Sequence, residues 1–305
     1  MKSVKGRDMS CILVAIANPE RASLDAGLIA ELGKRFGAAP RWLADNEAAD
    51  MAIDGHDPAD VRAMAADIVA AFGTQPLDLA VLPTTDRRKR LLISDMDSTM
   101  ITVECIDELA DFAGVKSEVA SITRRAMQGE LNFEGALRER VALLEGLRAD
   151  VIDQVYAERV RPMPGARVLV QTMRRLGAMT ALVSGGFLSF AEPVAEALGF
   201  EIAVANRLEI EGGRLTGRVL PPIVGPEAKL STLTQLMRSH DLRPEETLAL
   251  GDGANDLPMI EAAGLGVAFR PHRRLADASD VVVQAGDLTA LLYLQGVPKD
   301  QIFVK

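Results

Sequence analysis

Two acidic clusters more than 150 residues apart constrain this 305-residue chain more than any other feature. They are Asp95-Met96-Asp97-Ser98-Thr99 and Gly251-Asp252-Gly253-Ala254-Asn255-Asp256, and each follows a short apolar run typical of a buried strand. Because ligands bind at the carboxyl ends of strands in an open parallel sheet, we expect both clusters at one edge. Crowded carboxylates repel one another unless a hard cation lies between them. The pattern therefore predicts a Mg²⁺-dependent enzyme that acts on an anionic substrate such as a phosphate ester.

The composition limits the class of protein. Apolar residues make up 48% of the chain and charged residues 25%, which is typical of a soluble globular protein. The net charge of -9 argues against nonspecific nucleic-acid binding, which requires basic patches. Two cysteines are too few for a disulfide framework, and no apolar stretch is long enough for a membrane span. We therefore expect a cytoplasmic protein with neither a nucleic-acid partner nor a membrane association.

Residues 1–84 are predicted to form a small α+β domain. Its candidate elements follow the order βαββαβ of the ferredoxin-like arrangement. They cover 11–17, 20–36, 41–44, 50–53, 58–72 and 77–82, with Asp57 as N-cap and Pro58 at the first helical position. Residues 85–90 are predicted to be a linker, in which the basic run 87–90 is a solvated connector rather than a nucleic-acid patch.

Residues 91–305 are predicted to form a doubly wound α/β domain with a parallel sheet, because strands and helices alternate along them. Predicted strands cover 91–94, 180–184, 247–251, 265–268 and 281–283, and predicted helices cover 165–176, 187–198, 227–239, 255–263 and 287–294. A β-hairpin is predicted over 203–218. The segment of about 103–160 has only helical periodicity, so we predict a helical cap that excludes water and selects substrate.

The residue types at these strand ends suit phosphoryl chemistry, although each motif alone leaves a structural alternative open. Asp95 is a feasible nucleophile toward phosphorus, and Asp97 could act as general acid and base. The hydroxyl and backbone N–H groups of Ser184-Gly185-Gly186, which precede a predicted helix, suit a phosphate, but an ordinary glycine turn is also consistent. The cluster 251–256 could likewise be a polar turn, and Lys229 a solvated surface charge.

Several strings in order resemble the phosphoserine phosphatases of the haloacid dehalogenase (HAD) superfamily, over about residues 90–296. They are the two acidic clusters, the helical insertion, Ser184-Gly185-Gly186-Phe187 and Ala205-Asn206-Arg207-Leu208. The resemblance implies an HAD-like Rossmannoid sheet and hydrolysis of O-phospho-L-serine to L-serine and phosphate, the last step of serine biosynthesis. It also implies Mg²⁺ as cofactor.

By the same resemblance, Asp95 is the nucleophile that forms an aspartyl-phosphate. Asp97 is the general acid for the leaving serine and then the base for water. Asp95, Asp252 and the backbone carbonyl of Asp97 would ligate Mg²⁺, while Asp256 would support the metal site and Lys229. Four groups would hold the phosphoryl oxygens, namely Ser184, Gly185, Lys229 and Asn255.

The resemblance assigns substrate selection to four cap residues. Glu104 suits the ammonium of phosphoserine, and the planar fork of Arg140 suits its carboxylate. Met127 and Phe133 would form an apolar wall around the short side chain. Without the resemblance, these two residues would be interpreted as core and Arg140 as a surface charge.

The N-terminal unit resembles the ACT domains that many phosphoserine phosphatases carry, which often bind amino acids at a shared interface. Its loop Ala17-Asn18-Pro19-Glu20-Arg21 lacks the usual glycine, so a structural role or homodimerisation is as open an interpretation as amino-acid sensing.

Two alternative functions also stay open. One is a phosphotransferase of the same fold that uses an alcohol such as homoserine, and the other is a regulatory amino-acid-binding protein.

Overall fold

The computed structural model describes residues 10–18, 20, 23–73, 76–271 and 273–303. The chain divides into two compact units, one formed by 1–89 with 281–305 and the other by 90–280. The predicted domain ranges, which place 281–305 with the phosphatase domain, stay predictions. Among the described residues, no helix is both long enough and apolar enough to cross a membrane.

The N-terminal part of the first unit is a four-stranded antiparallel sheet with two helices. Its elements are β1 (Cys11–Ala17), α1 (Ala26–Phe36), β2 (Arg41–Ala44), β3 (Ala48–Ile53), α2 (Pro58–Phe72) and β4 (Leu77–Pro83). The sheet order is β2-β3-β1-β4, which is the predicted ferredoxin-like arrangement. Its core is a cluster of buried apolar side chains that includes Leu13, Leu28 and Met51.

Side-chain caps decide where the two helices of this sheet begin. Asp57 accepts a hydrogen bond from the backbone N–H of Ala59, so α2 begins as predicted. Asp25 caps α1 by accepting from Leu28 N, and the predicted start at residue 20 is therefore wrong. Residues 21 and 22 of that predicted helix, and Pro19 and Arg21 of the predicted loop, lie outside the described residues.

The second unit contains a cap of four helices between its first two strands. After β5 (Leu91–Ser94) come α3 (Cys105–Ala113), α4 (Lys116–Met127), α5 (Phe133–Ala142) and α6 (Val151–Arg159). The later elements are α7 (Ala166–Arg175), β6 (Met179–Phe187), α8 (Leu188–Leu198), β7 (Ile202–Glu211), β8 (Arg214–Leu220), α9 (Pro226–Ser239), β9 (Thr247–Gly251), α10 (Leu257–Ala262), β10 (Leu265–Phe269) and α11 (Arg273–Ala276).

Within this unit the strand order is β10-β9-β5-β6-β7-β8. Strand β5 lies parallel to both β6 and β9, and β7 pairs with β8 as the predicted antiparallel hairpin. The fold class is therefore confirmed, with a doubly wound parallel sheet and a helical cap inserted after its first strand. The central position of β5 places the residue that follows it between the ends of two neighbouring strands.

The C-terminal segment contributes β11 (Val281–Val283) and α12 (Ala290–Leu294) to the first unit. The carboxylate of Asp78, which is buried, accepts backbone N–H bonds of 2.8 to 2.9 Å from Gln284, Ala285 and Gly286. The hydroxyl of Tyr293 donates to the buried Glu47 carboxylate at 2.7 Å. Hydrogen bonds to buried carboxylates thus fasten the end of the chain to the N-terminal sheet.

Candidate active site

The parallel register of the second unit brings the two acidic clusters together. Ser94, the last residue of β5, lies opposite Leu250 of β9, and the backbone N–H of Asp95 donates to Leu250 O at 2.9 Å. Asp95 therefore leaves the sheet beside the start of the second cluster. Carboxylate oxygens of Asp95, Asp252 and Asp256 lie within 4.8 Å of one another. The two acidic clusters therefore lie at one edge of the sheet, as the sequence predicts.

A buried ammonium group lies beneath these carboxylates. Lys229 on α9 is fully buried, and its Nζ lies 2.8 Å from Asp95 Oδ1 and 2.6 Å from Asp256 Oδ1. Burial lowers the pKa of Lys229, but the Asp256 and Asp95 carboxylates raise it by a larger amount. The pKa of Lys229 therefore lies above the ordinary value. Its complete burial between two carboxylates rules out the interpretation of Lys229 as a solvated surface lysine. Its predicted contact with the phosphoryl group stays a prediction.

The carboxylate set fits a divalent cation with oxygen ligands. Burial, followed by the charge of Asp95, raises the pKa of Asp252 to about 7, although Thr99 Oγ1 donates to Asp252 Oδ1 at 2.8 Å. Carboxylates held this close repel one another when ionised, and a hard cation would offset that repulsion. Lys229 already neutralises part of the charge on Asp95 and Asp256. Asp252 is therefore the member of the set that most needs a cation.

Asp97 lies in an environment that suits a proton donor. Its Oδ1 accepts one long hydrogen bond, of 3.4 Å, from the backbone N–H of Cys105. Desolvation, followed by the nearby charge of Glu104, raises the pKa of Asp97 well above the ordinary value for an aspartate. A carboxyl group with a raised pKa is suited to give its proton to a leaving oxygen.

The predicted phosphate-binding segment is an irregular end of β6. The register between β6 and β7 shifts between Val183 and Phe187, and Ser184 Oγ accepts the backbone N–H of Gly186 at 2.9 Å. A Cβ atom at Gly186 would lie 2.7 Å from Asp97 Oδ2, so glycine lets this segment approach the acidic cluster without displacing the Asp97 side chain. The segment therefore lies against Asp97, with its backbone at the edge of the sheet.

Asn206 holds this segment in place, and sequence reasoning gave it no role. Its side chain is fully buried on β7, and its Nδ2 donates to Gly185 O at 2.9 Å and to Val224 O at 3.0 Å. Its Oδ1 accepts the N–H of Val224 at 2.7 Å. The only sequence signal was its place in the string 205–208 that contributes to the family resemblance. A buried side-chain amide whose hydrogen bonds are all made holds the backbone segments that it joins in one position.

One cavity of about 720 Å³ joins the strand ends to the cap. Ten of the predicted site residues line it, namely Asp95, Asp97, Glu104, Met127, Phe133, Arg140, Ser184, Gly185, Asp252 and Asn255. The other two, Lys229 and Asp256, are fully buried and are linked to the cavity through Asp95. Polar and charged residues that also line it and were not predicted include Ser98, Asp107 and Arg274.

The cap residues differ in how they face this cavity. The Phe133 ring covers the phosphate-binding segment so closely that a Cβ atom at Gly185 would lie 2.8 Å from Phe133 Cζ. Met127 also lines the cavity but is 70% exposed, so it lies at the rim, and its predicted part in an apolar wall stays a prediction. Arg140 donates its Nε–H to Ala136 O, and its terminal nitrogens make no hydrogen bond within the described part of the chain. That guanidinium is available to a ligand.

Comparison with known proteins identifies the family. Residues 92–261 match the haloacid dehalogenase-like hydrolases. This chain belongs to that family. A phosphoserine phosphatase of Streptomyces coelicolor is 43% identical over 257 residues, which cover 84% of this chain and 62% of that protein. This chain thus spans about three fifths of the length of that curated relative.

Solved structures of the family resemble this one. A probable phosphoserine phosphatase from Vibrio cholerae, in unliganded form, has a TM-score of 0.75 and 33% identity, and the match covers 96% of this chain and 88% of that one. A phospho-aspartyl intermediate analogue of a phosphoserine phosphatase has a TM-score of 0.64 and 38% identity, and the match covers 68% of this chain and 98% of that one. The predicted superfamily is therefore confirmed.

Proposed function

We propose that this protein is a Mg²⁺-dependent phosphatase that hydrolyses O-phospho-L-serine to L-serine and phosphate. The observation that supports the proposal is one cavity lined by Asp95 and Asp97, by the Ser184-Gly185 segment, and by Glu104 and Arg140. The strand-end residues suit a phosphoryl group, and the two cap residues suit an ammonium and a carboxylate. The names of the S. coelicolor and V. cholerae relatives support the same substrate.

In the first half of the proposed reaction, an Asp95 oxygen attacks phosphorus and the bond from phosphorus to the serine oxygen breaks. Asp97 gives its proton to that leaving oxygen, which produces serine and an aspartyl-phosphate on Asp95. Lys229 Nζ and the backbone N–H of Met96 both donate to Asp95 Oδ1, at 2.8 and 2.7 Å, and so fix the orientation of the carboxylate. The phospho-aspartyl analogue of a relative supports this intermediate.

In the second half, the now ionised Asp97 takes a proton from water, and the resulting hydroxide attacks the phosphorus of the intermediate. The bond between phosphorus and the Asp95 oxygen breaks, and phosphate leaves. Ser184 and Gly185 would stabilise the charge on the phosphoryl oxygens through hydrogen bonds. A Mg²⁺ ion held by Asp95, Asp252 and the carbonyl of Asp97 would neutralise the nucleophile and the phosphoryl group when bound.

Phosphate release from O-phospho-L-serine, with Mg²⁺ and with excess EDTA, tests the proposal. We expect turnover with Mg²⁺, a loss of at least about a hundredfold with EDTA, and recovery when Mg²⁺ is restored. Equal rates on unrelated phosphate esters would refute the substrate assignment while leaving the family chemistry intact. Serine release without an equal amount of phosphate, in the presence of homoserine, would instead indicate a phosphotransferase. A cytoplasmic location, homodimerisation and the ACT-like role stay predictions.

Replacing Arg140 with alanine is expected to weaken binding of phosphoserine by about 2 to 4 kcal/mol, because the substrate carboxylate loses its cationic partner. KM measured with phosphoserine should rise accordingly, while KM for phosphoethanolamine, which has no carboxylate, should change little. Arg138→Ala is the matched control, since Arg138 lies on the same helix and pairs with Glu134 at the surface. An unchanged KM for phosphoserine would show that Arg140 does not contact the substrate.

A further inference from the structure

Asp107 is a carboxylate in the active-site cavity that the proposed reaction leaves without a role. It lies in the first turn of α3, three residues after Glu104, so the two side chains project from the same side of the helix. Both line the cavity. The Asp107 side chain makes no hydrogen bond and no ion pair with any residue that the structure describes. It therefore presents unused acceptors to whatever the cavity binds.

Arg140 on α5 is a cationic residue that lines the same cavity as Asp107. No nitrogen of Arg140 lies within 4.0 Å of a carboxylate oxygen in the described ranges. Burial lowers the pKa of Arg140. The negative charge of Asp107 opposes this effect most strongly, followed by that of Glu104. The two groups thus line one cavity and lie farther apart than an ion pair. A ligand with both an anionic and a cationic group can fill that space and pair with each of them.

Glu104 alone is a poor match for a substrate ammonium. Its Oε1 already accepts a hydrogen bond of 2.6 Å from Ser98 Oγ. An ammonium group has three N–H donors, and a desolvated donor that stays unpaired is costly. The second carboxylate, one helical turn along α3, supplies further acceptors beside the remaining Glu104 oxygen.

We propose that Asp107 is a further specificity-determining residue, which accepts a hydrogen bond from the α-ammonium group of an amino-acid phosphate ester beside Glu104, while Arg140 binds its carboxylate. The inference rests on the proposed function and deepens it. Under this proposal, the cap recognises the ammonium group through two carboxylates, those of Glu104 and Asp107. Simple alkyl phosphates lack that group and would gain nothing from Asp107.

Three phosphate esters of similar length test this role. Phosphoserine carries both charged groups, phosphoethanolamine carries only the ammonium, and the phosphate ester of 3-hydroxypropionate carries only the carboxylate. In Asp107→Asn, kcat/KM should fall about tenfold for phosphoserine and phosphoethanolamine, mainly through KM. The 3-hydroxypropionate ester should change by less than about twofold, because it never used the lost charge.

Asp153→Asn is the matched control. Asp153 is an exposed acidic residue in the first turn of α6, three residues after the N-cap position, as Asp107 is in α3, but it does not line the cavity. It should leave kcat/KM unchanged for all three esters. This pair of variants separates the effect of an acidic group on a helix N-terminus from an effect on the ligand.

An equal fall with all three esters would assign Asp107 a structural role and overturn the proposal. A fall confined to the two esters that carry a carboxylate would show that Asp107 acts through Arg140, which also overturns it. Failure of the wild-type protein to hydrolyse phosphoserine is a separate result that refutes the proposed function. In that case, calorimetric binding of phosphoserine and phosphoethanolamine to the wild type and to Asp107→Asn still tests the ammonium contact.

Discussion

Replacing Asp95 with asparagine is expected to lower hydrolysis of phosphoserine by at least about a thousandfold while leaving the protein folded. The substitution removes the nucleophilic charge and keeps the size of the side chain. The asparagine carbonyl can still accept the hydrogen bonds that Met96 N and Lys229 Nζ donate to Asp95 Oδ1. Lys229 also retains Asp256 as an ionic partner, so the unfolding temperature should stay close to that of the wild type.

Covalent labelling gives the sharper measurement for this prediction. A phosphate ester with a good leaving group, such as 4-nitrophenyl phosphate, needs little help from a general acid. Asp97→Asn should therefore still become phosphorylated by this ester. The covalently bound phosphoryl group, which is the label, should remain after an acid quench, because the variant lacks the base that activates water. Asp95→Asn should retain no label. Label on Asp95→Asn, or residual turnover near the wild-type rate, would exclude Asp95 as the nucleophile.

Replacing Lys229 with methionine is expected to abolish turnover and to lower the free energy of unfolding by about 3 to 5 kcal/mol. Methionine keeps most of the volume of the lysine but has no charge. The buried carboxylates of Asp95 and Asp256 would then lie close together without the ammonium that neutralises them. Removal of one partner from a buried ion pair is costly because the remaining charge is desolvated and unpaired.

Denaturant unfolding of two further variants checks the reason for the destabilisation. Adding Asp256→Asn to Lys229→Met should restore part of the lost stability, since it removes one uncompensated charge, but it should not restore activity. Lys116→Met is the control, because Lys116 is exposed and lies 3.7 Å from an exposed Asp111 carboxylate, and its unfolding midpoint should stay unchanged. A stable Lys229→Met protein would mean that the buried carboxylates are neutral in the fold.

Local signals explain which elements could be predicted. Helix α2 begins where Asp57 and Pro58 predict, because an N-cap and a first-turn proline act on neighbouring backbone groups. Apolar periodicity predicts too early a start for helix α1, since the periodicity extends before the N-cap at Asp25. The strands of the second unit were found because buried parallel strands are short apolar runs. Each of these signals depends only on nearby residues.

The C-terminal segment shows what local signals cannot give. Its strand at 281–283 was predicted, but its packing with the N-terminal unit was not. That packing depends on Asp78 meeting backbone groups more than 200 residues away, and no spacing rule encodes such a contact. The same holds for Asn206, whose bonds to Gly185 and Val224 become visible only when the strands are placed side by side.

Periodicity, capping and motif spacing are properties of the chain, so the order of the elements, the acidic strand ends and the residues that carry the family resemblance can be predicted from the sequence. The fold is needed to show that Lys229 is a buried counter-ion and that Met127 lies at an exposed rim. It also places Asp107 and Arg140 in the lining of one cavity. Burial and distance between remote side chains follow from how elements pack, so they are fixed only when the chain is folded.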